Sequence, residues 1–428
     1  MSLKKNILSS LGVQIFNLII SFVINIMLSR ALKAQGQGEL AYFTLIFGTI
    51  ANYIHLGMYN SIPEFLNKRK IDENYLFNID ITISLILGAI GIILVGILGV
   101  AAGIFKGYSS TYIVLGCIYI LVMLLQYIGQ YFFVAKEKVY ITNKIQFLSN
   151  LFRFIIVILM YISGTLSIIN YLILFVGVNI FIVVVSIIKL KLRYIPKLDL
   201  KIIKSQIGFG LFIFTANFFV FLNYRVDQFF IESNYGKANL GIYALAVSLS
   251  ELIFVIPTSI GTALWGNLYT VIDDENKTKN LIEKILRYTL WTCIFISIIG
   301  CFLAELVPYF YGIEFTRSIY SIRILFLGTV LASIAKVGSS YLVVKGRMKS
   351  YVLITALTLL INIVFNFMLL PIFNIEGAAI ASAISYTFYG ISYLFILKFK
   401  DKISIKDIIL LKREDLKLIK NINVFRRK

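Results

Sequence analysis

Five ionisable residues lie deep inside stretches that are otherwise aliphatic or aromatic: Arg153, Arg225, Asp227, Glu251 and Lys336. Arg30 and Asp80 stand at the edges of two further stretches. Placing one such charge at the centre of a membrane-spanning helix costs roughly 2.5–3.5 kcal/mol on insertion scales. These side chains therefore turn toward other helices or a water-filled path. Cations outnumber acids among them. Arg grips phosphate oxygens in bidentate fashion and Lys supplies a point charge, so the set suits an anionic substrate. Arg30, Arg153, Arg225 and Lys336 are the candidate substrate ligands. The same chemistry also makes intramolecular pairs, Arg225 with Asp227 or with Glu251, and both readings stand at this level. Arg225 and Asp227 are two positions apart and do not share a helix face, which favours separate partners. Arg30, close to an interface, either binds substrate or snorkels to water. Asp227 and Glu251 are the candidates for ion pairing or for carrying a coupling ion.

Other chemistry has little to stand on. The single histidine, His55, sits within an apolar run and reads as a packed or hydrogen-bonded residue, and no metal site can be assembled around it. Cys117, Cys293 and Cys301 lie in apolar runs without zinc or redox spacing. Gly36-Gln37-Gly38 lacks the third glycine and the preceding strand of a dinucleotide loop. Asp273-Asp274-Glu275 lacks calcium-loop spacing and reads as a solvated turn. No G-x-S-x-G or Walker sequence occurs, so an ATPase is not indicated. Energy must come from an ion gradient or from the substrate's own gradient. No cofactor is expected, with H+ or Na+ the only coupling species considered.

The elements that position these residues follow from composition. The 428 residues are 59% hydrophobic and 14% charged, against roughly 45–50% and about 25% in a soluble domain. The excess must face lipid. A spanning helix needs roughly 20 mostly apolar residues. The runs that qualify are approximately 7–29, 40–61, 76–104, 110–134, 145–163, 167–188, 207–231, 239–264, 287–307, 321–344, 350–372 and 376–397. The first is too long for a signal-peptide core and no A-x-A site follows it, so it reads as a retained helix. The fold class is thus an all-α polytopic membrane protein with about twelve transmembrane helices.

The net charge of +20 would suggest nucleic acid on a soluble protein. Here its placement says otherwise. About 32 Lys and Arg fall at the N-terminus, in the even-numbered connections and in the tail, against about six in the odd connections. Positive loops stay cytoplasmic, so an even helix number with both termini inside is expected. The charge is topology and contact with anionic lipid. The tail after Ile403 alternates apolar and basic residues and is expected as an amphipathic helix on the inner surface.

The longest polar connection lies midway. It divides the chain into an N-terminal six-helix bundle (1–190), a cytoplasmic linker (191–206), a C-terminal six-helix bundle (207–398) and a basic cytoplasmic tail (399–428). The halves echo one another. Gly38-Glu-Leu-Ala-Tyr corresponds to Gly241-Ile-Tyr-Ala-Leu, and Tyr131-Phe-Phe-Val-Ala-Lys to Tyr341-Leu-Val-Val-Lys, at an offset of about 203–210. Six helices per unit is even, so the repeats are parallel, an architecture found in transporters.

Three stretches carry a family resemblance: LSRALKAQGQGELAYFTLIFGTI from Leu28, NYRVDQFFIESNYGKANLGIYALAVSLSELI from Asn223, and Asn366…Leu370-Pro371…Gly377-Ala-Ala-Ile-Ala-Ser-Ala. Their order and spacing resemble polysaccharide (O-antigen or capsule) flippases of the MOP superfamily, the Wzx type, and span nearly the whole chain. Arg30, Arg225 and Asp227 fall on motif positions; Arg153, Glu251 and Lys336 are added from burial cost. The resemblance implies a MATE-like, V-shaped pair of bundles with alternating access in a bacterial plasma membrane. It implies an undecaprenyl-pyrophosphate-linked oligosaccharide as substrate, moved from inner to outer leaflet, with polymerase and chain-length proteins of the same pathway as partners, and no enzyme activity. A multidrug or cation antiporter of the superfamily would need acids to hold cationic drugs, whereas this interior is net basic. A lipid II flippase would usually have about fourteen helices. A membrane polymerase or glycosyltransferase would need sizeable outer loops, and here the two longest loops are cytoplasmic.

Overall fold

No water is available to backbone N–H and C=O groups in a bilayer, and a helix satisfies both within one segment. The computed structural model describes residues 3–260, 274–412 and 415, and most of these are helical, with no strand among them. Nine of the described helices are long and apolar enough to cross a membrane. They are α1 (Leu3–Tyr53), α2 (Glu73–Ala101), α3 (Ser110–Ala135), α4 (Val139–Ile162), α5 (Ile168–Leu190), α6 (Leu200–Glu251), α7 (Glu275–Leu303), α8 (Ser318–Val344) and α9 (Met348–Asp401). Three of them are interrupted by one non-helical residue each: Lys33 in α1, Gly236 in α6 and Asn374 in α9. Among the described residues the nine therefore contain twelve helical segments, the number of spans expected from the sequence.

The breaks are sharper than the hydropathy implies. Where a loop of about ten residues is expected between the first two spans, the chain turns at Lys33 alone, with φ 58° and ψ −171°. Gly236 has nearly the same backbone geometry, φ 78° and ψ 177°, about 203 positions later. A left-handed φ costs a side-chain-bearing residue roughly 1–2 kcal/mol; Gly236 avoids that cost and Lys33 does not. The span expected over 40–61 is corrected. Its helix stops at Tyr53, Leu56 and Gly57 take positive φ, and a short helix, Ile62–Asn67, restarts with a proline in its first turn. A Cβ on Gly57 would lie 2.9 Å from Cβ of Phe214, so the turn needs glycine twice over. The end of the eighth expected span, 261–264, lies outside the described residues.

Compact packing divides the chain into two units. The first comprises Met1–Thr215 together with Gly236–Gly241 and Tyr309–Glu314. Its core includes Ile20, Ile24 and Leu28, one per turn along α1, set against Val157, Leu166 and Tyr171. Within this unit two glycines make a reciprocal contact. A Cβ on Gly38 would fall 1.8 Å from the Lys237 carbonyl oxygen, and one on Gly241 would fall 1.9 Å from that of Ala34.

The second unit comprises Ala216–Tyr235, Ile242–Pro308 and Phe315–Lys428. Its centre is α8, whose buried face is rich in small and hydroxylic residues such as Ser321, Gly328, Thr329 and Ser333. Small residues let helices approach closely where lipid offers no hydrophobic drive between them. A Cβ on Gly390 would lie 2.2 Å from the Leu331 carbonyl oxygen.

The described part of the tail, residues 403–412 and 415, departs from the expected surface helix. Ile405–Ile409 form a short helix there, Asp415 is helical as well, and Ile408 is fully buried. The chain is caught by α7: Trp291 Nε1 donates to the Ile409 carbonyl at 2.8 Å, and Arg287 pairs with Asp415 at 2.7 Å, both side chains about 5% exposed or less. Residues 413–414 and 416–428 lie outside the described residues.

Candidate functional site

The break at Gly236 folds α6 back on itself, and the arms on either side of it, residues 216–235 and 242–251, belong to the second unit. The first arm carries Arg225 and Asp227, and the second carries Tyr243 and Glu251. Arg225 meets Glu251 with both guanidinium nitrogens, Nη1 to Oε1 at 2.8 Å and Nη2 to Oε2 at 2.9 Å. Of the two pairings open to Arg225, the one with Glu251 forms. This bidentate fork is the strong form of a charge-assisted hydrogen bond.

Asp227 points elsewhere, as its two-residue offset from Arg225 requires. It is completely buried. Its Oδ2 accepts from the hydroxyls of Tyr243 and Ser382, the latter at 2.7 Å, and its Oδ1 accepts the Gln228 amide at 2.8 Å. The network continues through side-chain amides. Asn362 Nδ2 donates to the Asn223 carbonyl at 2.7 Å and toward Ser382 Oγ at 3.5 Å, and Asn366 Nδ2 donates to the Asn362 carbonyl at 3.0 Å. One buried acceptor, Asn366 Oδ1, has no partner among the described residues. The sequence reading missed Tyr243, Asn223, Asn362, Asn366 and Ser382 as site residues. Their signal was there: amide and hydroxyl side chains recurring within apolar runs beside Asp227.

Lys336, on α8, makes no ion pair among the described residues. Its Nζ lies 4.8 Å from the Tyr224 ring centre and 4.9 Å from that of Phe254. Two aromatic faces thus hold the ammonium where a carboxylate otherwise would.

The first unit treats charge differently. Arg153 stands one turn before Val157, which is buried against α1. Its guanidinium lies 5.8 Å from the Phe175 ring. Among the described residues it has no ion pair, and its buried Nε has no hydrogen-bond partner. Arg30 is exposed and donates from Nε to the Phe310 carbonyl at 2.7 Å and from Nη2 to that of Tyr309 at 2.5 Å. Both carbonyls belong to the last turn of the short helix Val307–Tyr311, where such groups lack intrahelical donors.

Asp80 is fully buried. Its Oδ1 accepts from Gln206 Nε2 at 3.0 Å, while its Oδ2 has no partner among the described residues. His55 packs against Tyr59, Tyr127 and Phe214, with its Nδ1 accepting the Gly57 amide at 3.1 Å, in line with the packing reading. No group of three His, Cys, Asp or Glu among the described residues could hold a metal ion.

The six candidate residues thus fall into distinct settings. Arg225, Glu251, Asp227 and Lys336 crowd into one region of the second unit, with Arg225 neutralised and Asp227 embedded in hydroxyls and amides. Arg153 and Arg30 belong to the first unit, the one unpaired and the other bound to backbone carbonyls.

Known proteins resemble this chain along most of its length. The family described as polysaccharide biosynthesis protein matches residues 27–289, and the one described as MatE matches residues 213–368. The capsular polysaccharide biosynthesis protein CapF of Staphylococcus aureus is 25% identical over 182 residues, 41% of this chain. That match spans 46% of CapF, so less than half of this relative is represented. Among solved structures, the lipid II flippase MurJ in an inward closed conformation superposes with a TM-score of 0.76 at 17% identity, covering 97% of this chain and 96% of that one. An inward-facing multidrug resistance MATE family transporter of the MOP superfamily gives 0.75 at 12% identity, covering 92% and 98%. At these identities the likeness is one of fold.

Proposed function

Because the chain belongs to the polysaccharide biosynthesis protein family, we propose that it is a flippase of the MOP superfamily for a lipid-linked oligosaccharide rather than an enzyme. The substrate in this reading is an undecaprenyl-pyrophosphate-linked glycan. It moves from the inner to the outer leaflet of a bacterial plasma membrane, by alternating access between the six-helix halves 1–190 and 207–398. Both termini face the cytoplasm, as the Lys and Arg distribution favours.

The observation that carries this reading is Arg153, a cation within a membrane span with no ion pair among the described residues. An unpaired guanidinium at that depth is costly unless an anion visits it. A pyrophosphate head group is such an anion, with oxygens spaced for a guanidinium fork. Arg225 stands second as a ligand because Glu251 already occupies its fork. Lys336 and Arg30 are accessory cations.

Asp227 is the better choice of the two acids for coupling to H+ or Na+, since Glu251 is held by Arg225. Its carboxylate and the Tyr243 and Ser382 hydroxyls supply the kind of oxygen surroundings that a proton or small cation takes.

The test is genetic. Arg153→Ala in a host that depends on this protein for its surface polysaccharide should abolish surface glycan while the protein remains inserted at normal abundance, and Arg153→Lys should restore part of it. Wild-type surface glycan in the Arg153→Ala strain would remove Arg153 from the path and with it the main support for an anionic substrate.

A further inference from the structure

A second cationic site lies away from the charges discussed so far. At one end of the second unit, the start of α7, the end of α8 and both the start and the end of α9 surround a cavity of about 470 Å³. This is within the size range of small-ligand sites. Its lining includes five cations, Lys279, Lys345, Arg347, Lys400 and Lys402, against two carboxylates, Glu275 and Asp401. Asp401 is committed to Arg347 at 2.6 Å. The four lysines make no ion pair among the described residues. We propose that this cavity binds a phosphate-bearing anion, the headgroup phosphate of an anionic phospholipid or a free phosphate of the same chemistry.

Two features of the backbone support the assignment. The helices α7 and α9 begin at the cavity wall, the one after its N-cap Asp274 and the other after Arg347, so two positive helix ends lie at its rim. The lysines are also not needed to satisfy the helix ends that close the same wall. At the end of α8 the carbonyls of Tyr341, Val343 and Leu342 accept the backbone amides of Lys345, Gly346 and Arg347, and at the end of α9 the Leu397 carbonyl accepts the amide of Ile403. Among the described residues their ammonium groups have no ion-pair partner, which leaves them open to a ligand. The wall is also fixed in place: the Ser404 amide donates to Glu283 at 3.1 Å, and Arg287 grips the chain just beyond at Asp407 and Asp415. A preformed site loses less ordering entropy on binding.

These basic groups belong to the connections that the charge distribution assigns to the cytoplasm, so the cavity opens at the level of the inner-leaflet headgroups. That placement rests on the topology proposed above; the phosphate chemistry does not. A phosphate here would bridge the ends of α7, α8 and α9 and stiffen one end of the second unit.

The experiment uses the full chain purified in detergent. Native mass spectrometry is run after exposure to phosphatidylglycerol or phosphatidylcholine micelles, and calorimetry with inorganic pyrophosphate. The wild type is compared with Lys345→Gln/Lys400→Gln/Lys402→Gln and with a control, Lys189→Gln/Lys191→Gln/Arg193→Gln, which removes as much charge from another connection. Retention of phosphatidylglycerol but not phosphatidylcholine, reduced at least about tenfold in the first variant and kept in the control, supports the site with a lipid headgroup as its source. Pyrophosphate binding lost in the first variant alone, with lipid retention unchanged, supports the site with a free phosphate as its source. Equal binding of both probes by all three proteins overturns the proposal. A separate Lys279→Cys protein, labelled with a membrane-impermeant maleimide in intact cells and in inverted vesicles, reports which side the cavity opens on. Labelling from outside would overturn the topology and leave the binding result standing.

Discussion

Arg153 and Arg225 are the same side chain within membrane spans of the two units, yet they meet opposite circumstances. Arg225 has a carboxylate locked into both prongs of its fork, and a further acid, Asp227, two residues on, satisfied by hydroxyls. Arg153 has an aromatic ring at 5.8 Å and no ionic partner among the described residues. A buried ion pair is held because breaking it leaves an uncompensated charge. An unpaired cation contributes nothing of that kind, and its retention has to be sought in what it binds. Arg225 is thus structural in its first effect, whereas Arg153 has no ionic partner among the described residues and is open to a ligand.

Four variants test this contrast through stability, measured by thermal unfolding in detergent. The largest effect is expected from Glu251→Gln, which strands the Arg225 guanidinium and should cost about 3 kcal/mol. The double variant Arg225→Met/Glu251→Leu should recover most of that loss. If the double variant is as unstable as the single one, the pair is not what holds the two arms of α6. A smaller loss, about 1 kcal/mol, is expected from Lys336→Met, which removes a cation held over two neighbouring rings and keeps the side-chain volume. The smallest effect belongs to Arg153→Met. Stability should stay within about 0.5 kcal/mol of the wild type or rise. A drop of several kcal/mol there would erase the contrast and mark Arg153 as a structural residue like Arg225.

The helix number was legible because the bilayer imposes it. Twelve apolar runs yield twelve long helical segments among the described residues, since a spanning segment has no alternative way to satisfy its backbone. The turns were much less legible. Hydropathy marks where the hydrocarbon ends, whereas a helix ends where the backbone does. Residues such as Gln35, Gln37 and Glu39 are polar but tolerate helix well, so α1 runs through a stretch that reads as a loop and breaks at Lys33 alone. The charges were found by their cost, which composition reveals. Their partners depend on which helix faces meet. That is why the Arg225 and Glu251 pair stayed one of two alternatives, and why the contacts of Arg30 with Tyr309 and Phe310, about 280 positions away, could not be read.

The reciprocal glycines of the first unit carry a consequence for ancestry. Each rests on the carbonyl of the residue that follows the other's helix break: Gly38 on Lys237, after Gly236, and Gly241 on Ala34, after Lys33. A contact in which position i meets j and j meets i is the signature of an isologous interface between identical chains. A gene encoding half of this protein would have specified a homodimer joined through that same crossing. Its duplication and fusion would preserve the crossing while freeing the two copies to diverge. The glycines would then be the part of the original dimer that divergence could not touch, because at either one a single methyl group would collide with backbone.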